Sequence, residues 1–351
     1  MRRRFACRLA ATVANVRRQP ALCVLPIALF AALVLVVVAC DGSDSMNAGH
    51  GDGEIAFTVN RAGWHEIWLM GADGSDRRRL TEVEPAQNDA AGSASPAWSP
   101  DGTQIAFAAQ IGTLAEDPRL GEIYVMDADG KDKARLTSND DIDANPSWSP
   151  GGKRIAFTRI VDHGTDAASG GIFVLDVDSG REMQITQTAW PTFDLSPAWS
   201  PDGSMIAFTR ASPSAGSENP STALYLVAVE SRTLRKLTSD GGEPDWSPDG
   251  ERIAFTSFRD RFGRTCFHEC STSGEIYVVG IDGGKEQRLT ESRANDGSPA
   301  WSQDGGLLAF ASDRSNPSDH EIEIYVMNAH GGNVSRITEN EVWDSEPAWR
   351  P

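Results

Sequence analysis

From residue 52 onward the apolar residues fall into short clusters, and each kind of cluster returns about every fifty residues. The first kind is Pro-x-Trp, at Pro96-Trp98, Pro146-Trp148, Pro197-Trp199, Pro244-Trp246, Pro299-Trp301 and Pro347-Trp349, with tryptophan spacings of 50, 51, 47, 55 and 48. A turn such as Ser99-Pro100-Asp101-Gly102 usually follows. The second kind is then Ile105-Ala106-Phe107 or its equivalents at 55–57, 155–157, 206–208, 253–255 and 308–310. After a longer gap comes a third, such as Ile123-Tyr124-Val125-Met126. An Asp-x-Asp-Gly turn then leads to a short Arg135-Leu136-Thr137 type of cluster. Clusters this short, bounded by Gly, Pro and Asp, predict strands. Four strands per unit at a fixed period predict a blade of an all-β, six-bladed β-propeller with four-stranded antiparallel blades.

The ends of the repeat predict how the ring closes. Ile55-Ala56-Phe57 has no Pro-x-Trp before it, and Pro347-Trp349 has no Ile-Ala-Phe after it. The C-terminal strand should therefore pair with the N-terminal blade, covering edges that would otherwise be free to aggregate.

Ahead of the repeat lies a different pattern. Six arginines (Arg2, Arg3, Arg4, Arg8, Arg17, Arg18) precede an uncharged, mostly apolar run from Ala21 to Ala39. This is the order of a secretory signal, and an uncleaved membrane anchor is the alternative. Both place the rest of the chain outside the cytoplasm. Val37-Val38-Ala39-Cys40 resembles the lipobox of bacterial lipoproteins. The resemblance implies diacylglyceryl transfer to Cys40 and cleavage before it. Asp41 next to that cysteine resembles an inner-membrane retention signal. The expected organisation is residues 1–39 as signal peptide, 40–51 as lipidated cysteine and flexible tether, and 52–351 as propeller.

Charge narrows the partners. The 351 residues carry 50 acidic and 32 basic side chains, net −18. From residue 40 on the imbalance is −24, because all six leader arginines are gone. Such a body lacks the basic footprint of a nucleic-acid binder. It would also avoid anionic lipid, which leaves membrane attachment to the lipid on Cys40.

Pro-x-Trp-Ser-Pro-Asp-Gly-x-x-Ile-Ala-Phe, then Ile-Tyr-Val-Met-Asp-x-Asp-Gly and Arg-Leu-Thr, resembles the repeat of TolB-like six-bladed propellers. The resemblance covers residues 52–351. It implies a scaffold for protein or peptide partners in the cell envelope, and a monomer. TolB carries an α/β domain before its propeller; here only residues 41–51 occupy that place.

Within a blade the strands are A (Pro-x-Trp), B (Ile-Ala-Phe), C (the third cluster) and D (Arg-Leu-Thr). The A–B and C–D links are tight turns on one face, and the longer B–C and D–A links lie on the other, where binding residues are expected. Eighteen of the 27 aromatic residues sit at repeat positions and are expected to pack. Trp64, Trp190, Phe193, Phe258, Phe262, Phe267 and Trp343 do not, and all seven fall in B–C or D–A links. They are the candidate contact residues; packing beneath their own loops is the alternative. Arg259, Arg261 and Arg264 make loop 256–274 locally basic, suited to an anionic or aromatic partner. The same loop holds Cys266 and Cys270. With Cys7 and Cys23 in the leader and Cys40 lipidated, these two form an even pair in an oxidising compartment, and a disulfide is expected. Zinc binding by Cys266, His268 and Cys270 is the alternative, with no fourth ligand evident.

Asp143, Asp194, Asp296 and Asp344 each stand three residues before the proline of a Pro-x-Trp. On innermost strands they would ring the channel mouth. Each could cap its own turn, or together they could hold a cation such as Ca²⁺ or a basic partner segment. No other cofactor is indicated. A nucleophile elbow is lacking, so a non-enzymatic binding module is the leading reading. The runner-up is a metal-dependent uronate lyase or other carbohydrate-active propeller, prompted by His65, His163, His268 and His320, all in B–C links.

Overall fold

The computed structural model describes residues 53–61, 64–82, 92–110, 121–161, 169–212, 221–260, 274–316 and 321–351. Among these are twenty-four strands in six sheets of four. Blade 1 is closed by the two ends of the repeat: β24 (Trp343–Trp349), β1 (Glu54–Arg61), β2 (Trp64–Gly71) and β3 (Arg78–Arg79) lie side by side. Blade 2 is β4 (Ser93–Trp98), β5 (Gln104–Gln110), β6 (Gly121–Asp127) and β7 (Ala134–Arg135). Blade 3 is β8 (Ile142–Trp148), β9 (Arg154–Val161), β10 (Ser169–Asp176) and β11 (Glu182–Gln184). Blade 4 is β12 (Phe193–Trp199), β13 (Met205–Ser212), β14 (Ser221–Ala228) and β15 (Leu234–Lys236). Blade 5 is β16 (Gly242–Trp246), β17 (Arg252–Ser257), β18 (Glu275–Gly280) and β19 (Gln287–Arg288). Blade 6 is β20 (Asp296–Trp301), β21 (Leu307–Asn316), β22 (Glu321–Asn328) and β23 (Ser335–Arg336).

The expected closure is present: Ile55 pairs with Trp349 and Val59 with Asp344. Arg350 continues it, donating from its backbone to the Glu54 carbonyl at 2.8 Å and pairing with the Glu54 carboxylate.

Aromatic pairing and small-residue packing explain why these clusters become strands. Phe107 stands opposite Tyr124 in the β5–β6 register, and the rings stack at 5.7 Å. The same pairing recurs in blades 3 to 6 at 5.8–6.0 Å. Cross-strand ring pairs of this kind stabilise antiparallel sheets. The alanine between Ile and Phe points the other way and gives room to the neighbouring blade. Trp98 of blade 2 thus packs in one cluster with Ala56, Ile67 and Leu69 of blade 1.

The D strands are only two or three residues long, and a polar device holds them. Each Thr of the Arg-Leu-Thr cluster turns its hydroxyl inward and accepts a C-strand N–H, as from Ile123 to Thr137 at 2.9 Å. Thr137 then donates to buried Glu122 at 2.5 Å, and Arg135 pairs with the same carboxylate at 2.6 Å. The Asp-x-Asp-Gly segments are hairpin turns: Asp129 accepts the Lys131 backbone N–H at 3.1 Å.

Each innermost strand is bulged just before its proline. Ser95, Asn145, Ser196, Glu243, Ser298 and Glu346 all have φ between 51° and 55°. A left-handed residue of this kind is costly outside glycine and re-aims its side chain, as bulges do. Six repeats of the same bulge set the lining of the channel.

Candidate functional site

The four aspartates at the heads of the A strands are all fully buried. Asp143 receives Nε and Nη2 of Arg159 at 2.6 and 2.7 Å. The same guanidinium pairs with Glu182 at 2.5 Å and lies over Phe173 and Phe157, 4.9 and 5.1 Å from the ring centres. Burial works against its charge, but the bonds to Asp143 and Glu182 outweigh that and hold its pKa above the ordinary value. Asp194 receives Arg210 in the same two-pronged way at 2.6 and 2.7 Å. Asp296 receives Arg314 at 2.8 Å and the hydroxyl of Ser312 at 2.5 Å. Three of the four carboxylates are thus neutralised by an arginine of the adjacent B strand. Among the described residues no group of three or more His, Cys, Asp or Glu is placed to hold a metal ion. The arginines were visible in the sequence as Ile-Ala-Phe-Thr-Arg at 155–159 and 206–210, but their pairing depends on strand register.

Asp344 differs. Asn340 donates to its Oδ2 at 2.7 Å, while its Oδ1 is buried without a partner. Burial pushes this carboxyl up to about 7.

The candidate contact aromatics divide between two sides of the ring. Among the described residues Trp190 and Trp343 are the most exposed of the large apolar ones, at 51% and 45%. Trp190 meets Phe193 edge-on at 5.7 Å, and Phe193 lies so close to Gly170 that a Cβ there would come within 2.6 Å of the ring. That pair belongs to the head of blade 4. Trp343 begins β24 and Trp64 begins β2, so both belong to blade 1, half a turn away. Phe258, half-buried, follows β17 in blade 5. Arg259 is engaged by its own blade: it lies 4.8 Å from the Tyr277 ring centre and pairs with Glu286. His65 is within 3.2 Å of Asn60. Cys40, Arg261, Phe262, Arg264, Cys266, Phe267, Cys270, His163, His268 and His320 lie outside the described residues.

The A strands enclose a channel of about 590 Å³, and its lining residues are not those expected from the sequence. Its described lining contains three carboxylates, Glu243, Asp245 and Glu346, and no histidine, lysine or arginine. Glu346 accepts the Ser95 N–H and the Thr58 hydroxyl, both at 2.8 Å. Glu243 accepts the Ser298 N–H at 2.9 Å and the Thr256 hydroxyl at 2.8 Å. Asp245 accepts the Trp301 N–H at 2.7 Å, and desolvation pushes its pKa up to about 7. The sequence signal was an acid in the two positions flanking the proline, where other blades carry Ser, Asn or Ala.

Six sheets around an acidic channel, with exposed tryptophans on the face of the longer loops, define a six-bladed β-propeller. The PD40 family, the TolB beta propeller domain, matches residues 265–351. A TolB homolog of Chlorobium chlorochromatii is 30% identical over 157 residues, 45% of this chain and 32% of that protein, so the match spans about a third of the relative's length. Among solved structures, TolB from Acinetobacter baumannii superposes with a TM-score of 0.65 at 22% identity, over 86% of this chain and 68% of that one. An oligogalacturonate lyase in complex with manganese superposes with a TM-score of 0.53 at 16% identity, over 82% and 74%. The chain folds as a six-bladed β-propeller, and its residues 265–351 match the TolB beta propeller domain.

Proposed function

We propose that this protein is an extracytoplasmic, membrane-tethered propeller scaffold. It docks a protein or peptide partner, or an envelope polymer, through the face of its longer loops. The carrying observation is the exposure of Trp190 and Trp343 on that face, where the other described large rings are buried or half-buried. Large aromatic side chains that stay in water are candidate hot spots. The leader and Cys40 supply the anchor, and the Cys266–Cys270 bridge shapes the basic loop. The protein acts as a monomeric binding module.

A photo-crosslinker placed at Trp190 or Trp343 in intact cells tests this reading. Capture of one defined species from either position is expected. Capture only from the opposite face, for example from Lys131, refutes the assignment of the face. Replacing Cys40 by Ser should release the protein from the membrane fraction; if it stays bound, a transmembrane anchor replaces the lipid.

A further inference from the structure

The six-fold repeat allows one junction to be compared with its siblings. Between blades 2 and 3 a buried carboxyl of strand C, Glu122, lies next to Asp143 at the head of the following A strand. Asn139 bridges them, its N–H reaching Glu122 at 2.8 Å and its side chain reaching Asp143 at 3.0 Å. Two arginines neutralise the pair: Arg135 on Glu122 and Arg159 on Asp143. Between blades 5 and 6 the arrangement repeats, with Glu275, Ser292 and Asp296, and with Arg288 and Arg314 as the two cations.

The closing junction keeps the acids and loses both arginines. Asn340 again bridges, from its N–H to Glu323 at 2.8 Å and from its side chain to Asp344 at 2.7 Å. Arg336, opposite Tyr325 as Arg135 is opposite Tyr124, pairs with exposed Glu339 instead. The residue facing Asp344 across the ladder is Val59, where blades 3 and 4 have Arg159 and Arg210. Arg61, at the position of Arg314, is exposed.

We propose that Asp344, set beside Glu323, retains its proton in the folded protein and acts as a pH-sensitive latch on β24, the strand that closes the ring. Two adjacent buried carboxyls do not both ionise readily when no cation is bonded to either; Arg336 acts on Glu323 electrostatically, but its ion pair is with Glu339. The groups facing Asp344 agree with this. From β22 comes Glu323, whose charge opposes ionisation; Thr338 and Asn340 after β23 offer only neutral hydrogen bonds; from β1 comes apolar Val59. Arg77, in the turn after β2, favours ionisation but is bonded to the Ile337 and Gly74 carbonyls. His65 on β2 is occupied with Asn60.

The direction of the effect follows from linkage. Folded Asp344 holds its proton up to about 7, whereas a released strand gives it up near the ordinary 3.8. Closure is therefore firmest below the released value, weakens as pH rises through the interval, and levels off above about 7. The slope is at most about tenfold in the opening equilibrium per pH unit.

Hydrogen–deuterium exchange of residues 343–349, corrected for intrinsic exchange and followed from pH 4.5 to 8, reads that equilibrium directly. Protection in the wild-type chain should fall toward pH 7. It should stay level in Asp344→Asn. Val59→Arg, which restores the missing guanidinium, should also flatten the profile and keep protection high at pH 8. A level wild-type profile, or a variant profile that keeps the wild-type slope, overturns the proposal.

Discussion

Replacing Arg159 by Met tests whether the aspartates are held by the chain's own cations. Met keeps much of the stem packing over Phe157 and Phe173 but removes the charge. Asp143 is then left buried with Asn139 as its remaining side-chain donor. Removing one partner of a buried pair costs about 3–5 kcal/mol, because the other charge stays desolvated. At about 2 °C per kcal/mol for a chain of this size, the melting temperature should drop by roughly 6–10 °C. The double variant Arg159→Met with Asp143→Leu removes both charges and should recover most of that loss. Calorimetry on the two single variants, the double variant and wild type closes the cycle. A single-variant loss below about 1 kcal/mol would mean that the pair is solvated in solution and that the aspartate ring is open to external cations. Equal losses in the single and double variants would mean that arginine packing, not charge, is what matters.

Three further outcomes follow from the same geometry. Thr137→Val strips a hydroxyl that both accepts from Ile123 and donates to Glu122, and should cost about 1–3 kcal/mol in urea denaturation. Trp190→Ala should abolish partner capture yet change stability by no more than about 0.5 kcal/mol, since the ring is half in water. At the A–B turns, hydrogen bonds from the Ser99, Ser200, Ser247 and Ser302 hydroxyls and from backbone amides hold Asp101, Asp202, Asp249 and Asp304 below the ordinary carboxyl value. Their contribution is complete above the ordinary value near 3.8 and is lost as pH falls through the depressed values, so acid melts of a Ser→Ala set should lose less on acidification than wild type.

Much of the ring could be read from the chain, because Pro-x-Trp, Ile-Ala-Phe and Arg-Leu-Thr are each repeated and each pack in a fixed way. The pairing of β24 with β1 followed from the two incomplete repeats. What did not follow was the fate of polar groups. Asp143 and Arg159 are 16 residues apart, and only the β8–β9 register places them opposite one another. The aspartates looked like a converging ring; instead three are neutralised by an arginine of their own blade, and Asn139, Ser292 and Asn340 tie Asp143, Asp296 and Asp344 to the link from the preceding blade. The bulge that turns Ser95, Glu243 and Glu346 into the channel is a backbone event with no residue signature beyond the following proline. The division of the described off-repeat aromatics, Trp64, Trp190, Phe193, Phe258 and Trp343, between blades 1, 4 and 5 needed the blade count to be laid out in space.

The closing sheet also dictates an order of assembly. Glu54 and Arg350 are 296 residues apart, and Thr58 reaches Glu346 across 288. Blades 2 to 6 are each complete within about fifty consecutive residues, so they can form as the chain is made. Blade 1 cannot: until Trp349 has been synthesised, β1 presents an unpaired edge. Contacts this distant in sequence form slowly, since the loop entropy must be met first. The N-terminal blade is therefore the first to be translated and the last to be finished, and it spends nearly the whole of synthesis as the part of the protein open to mispairing.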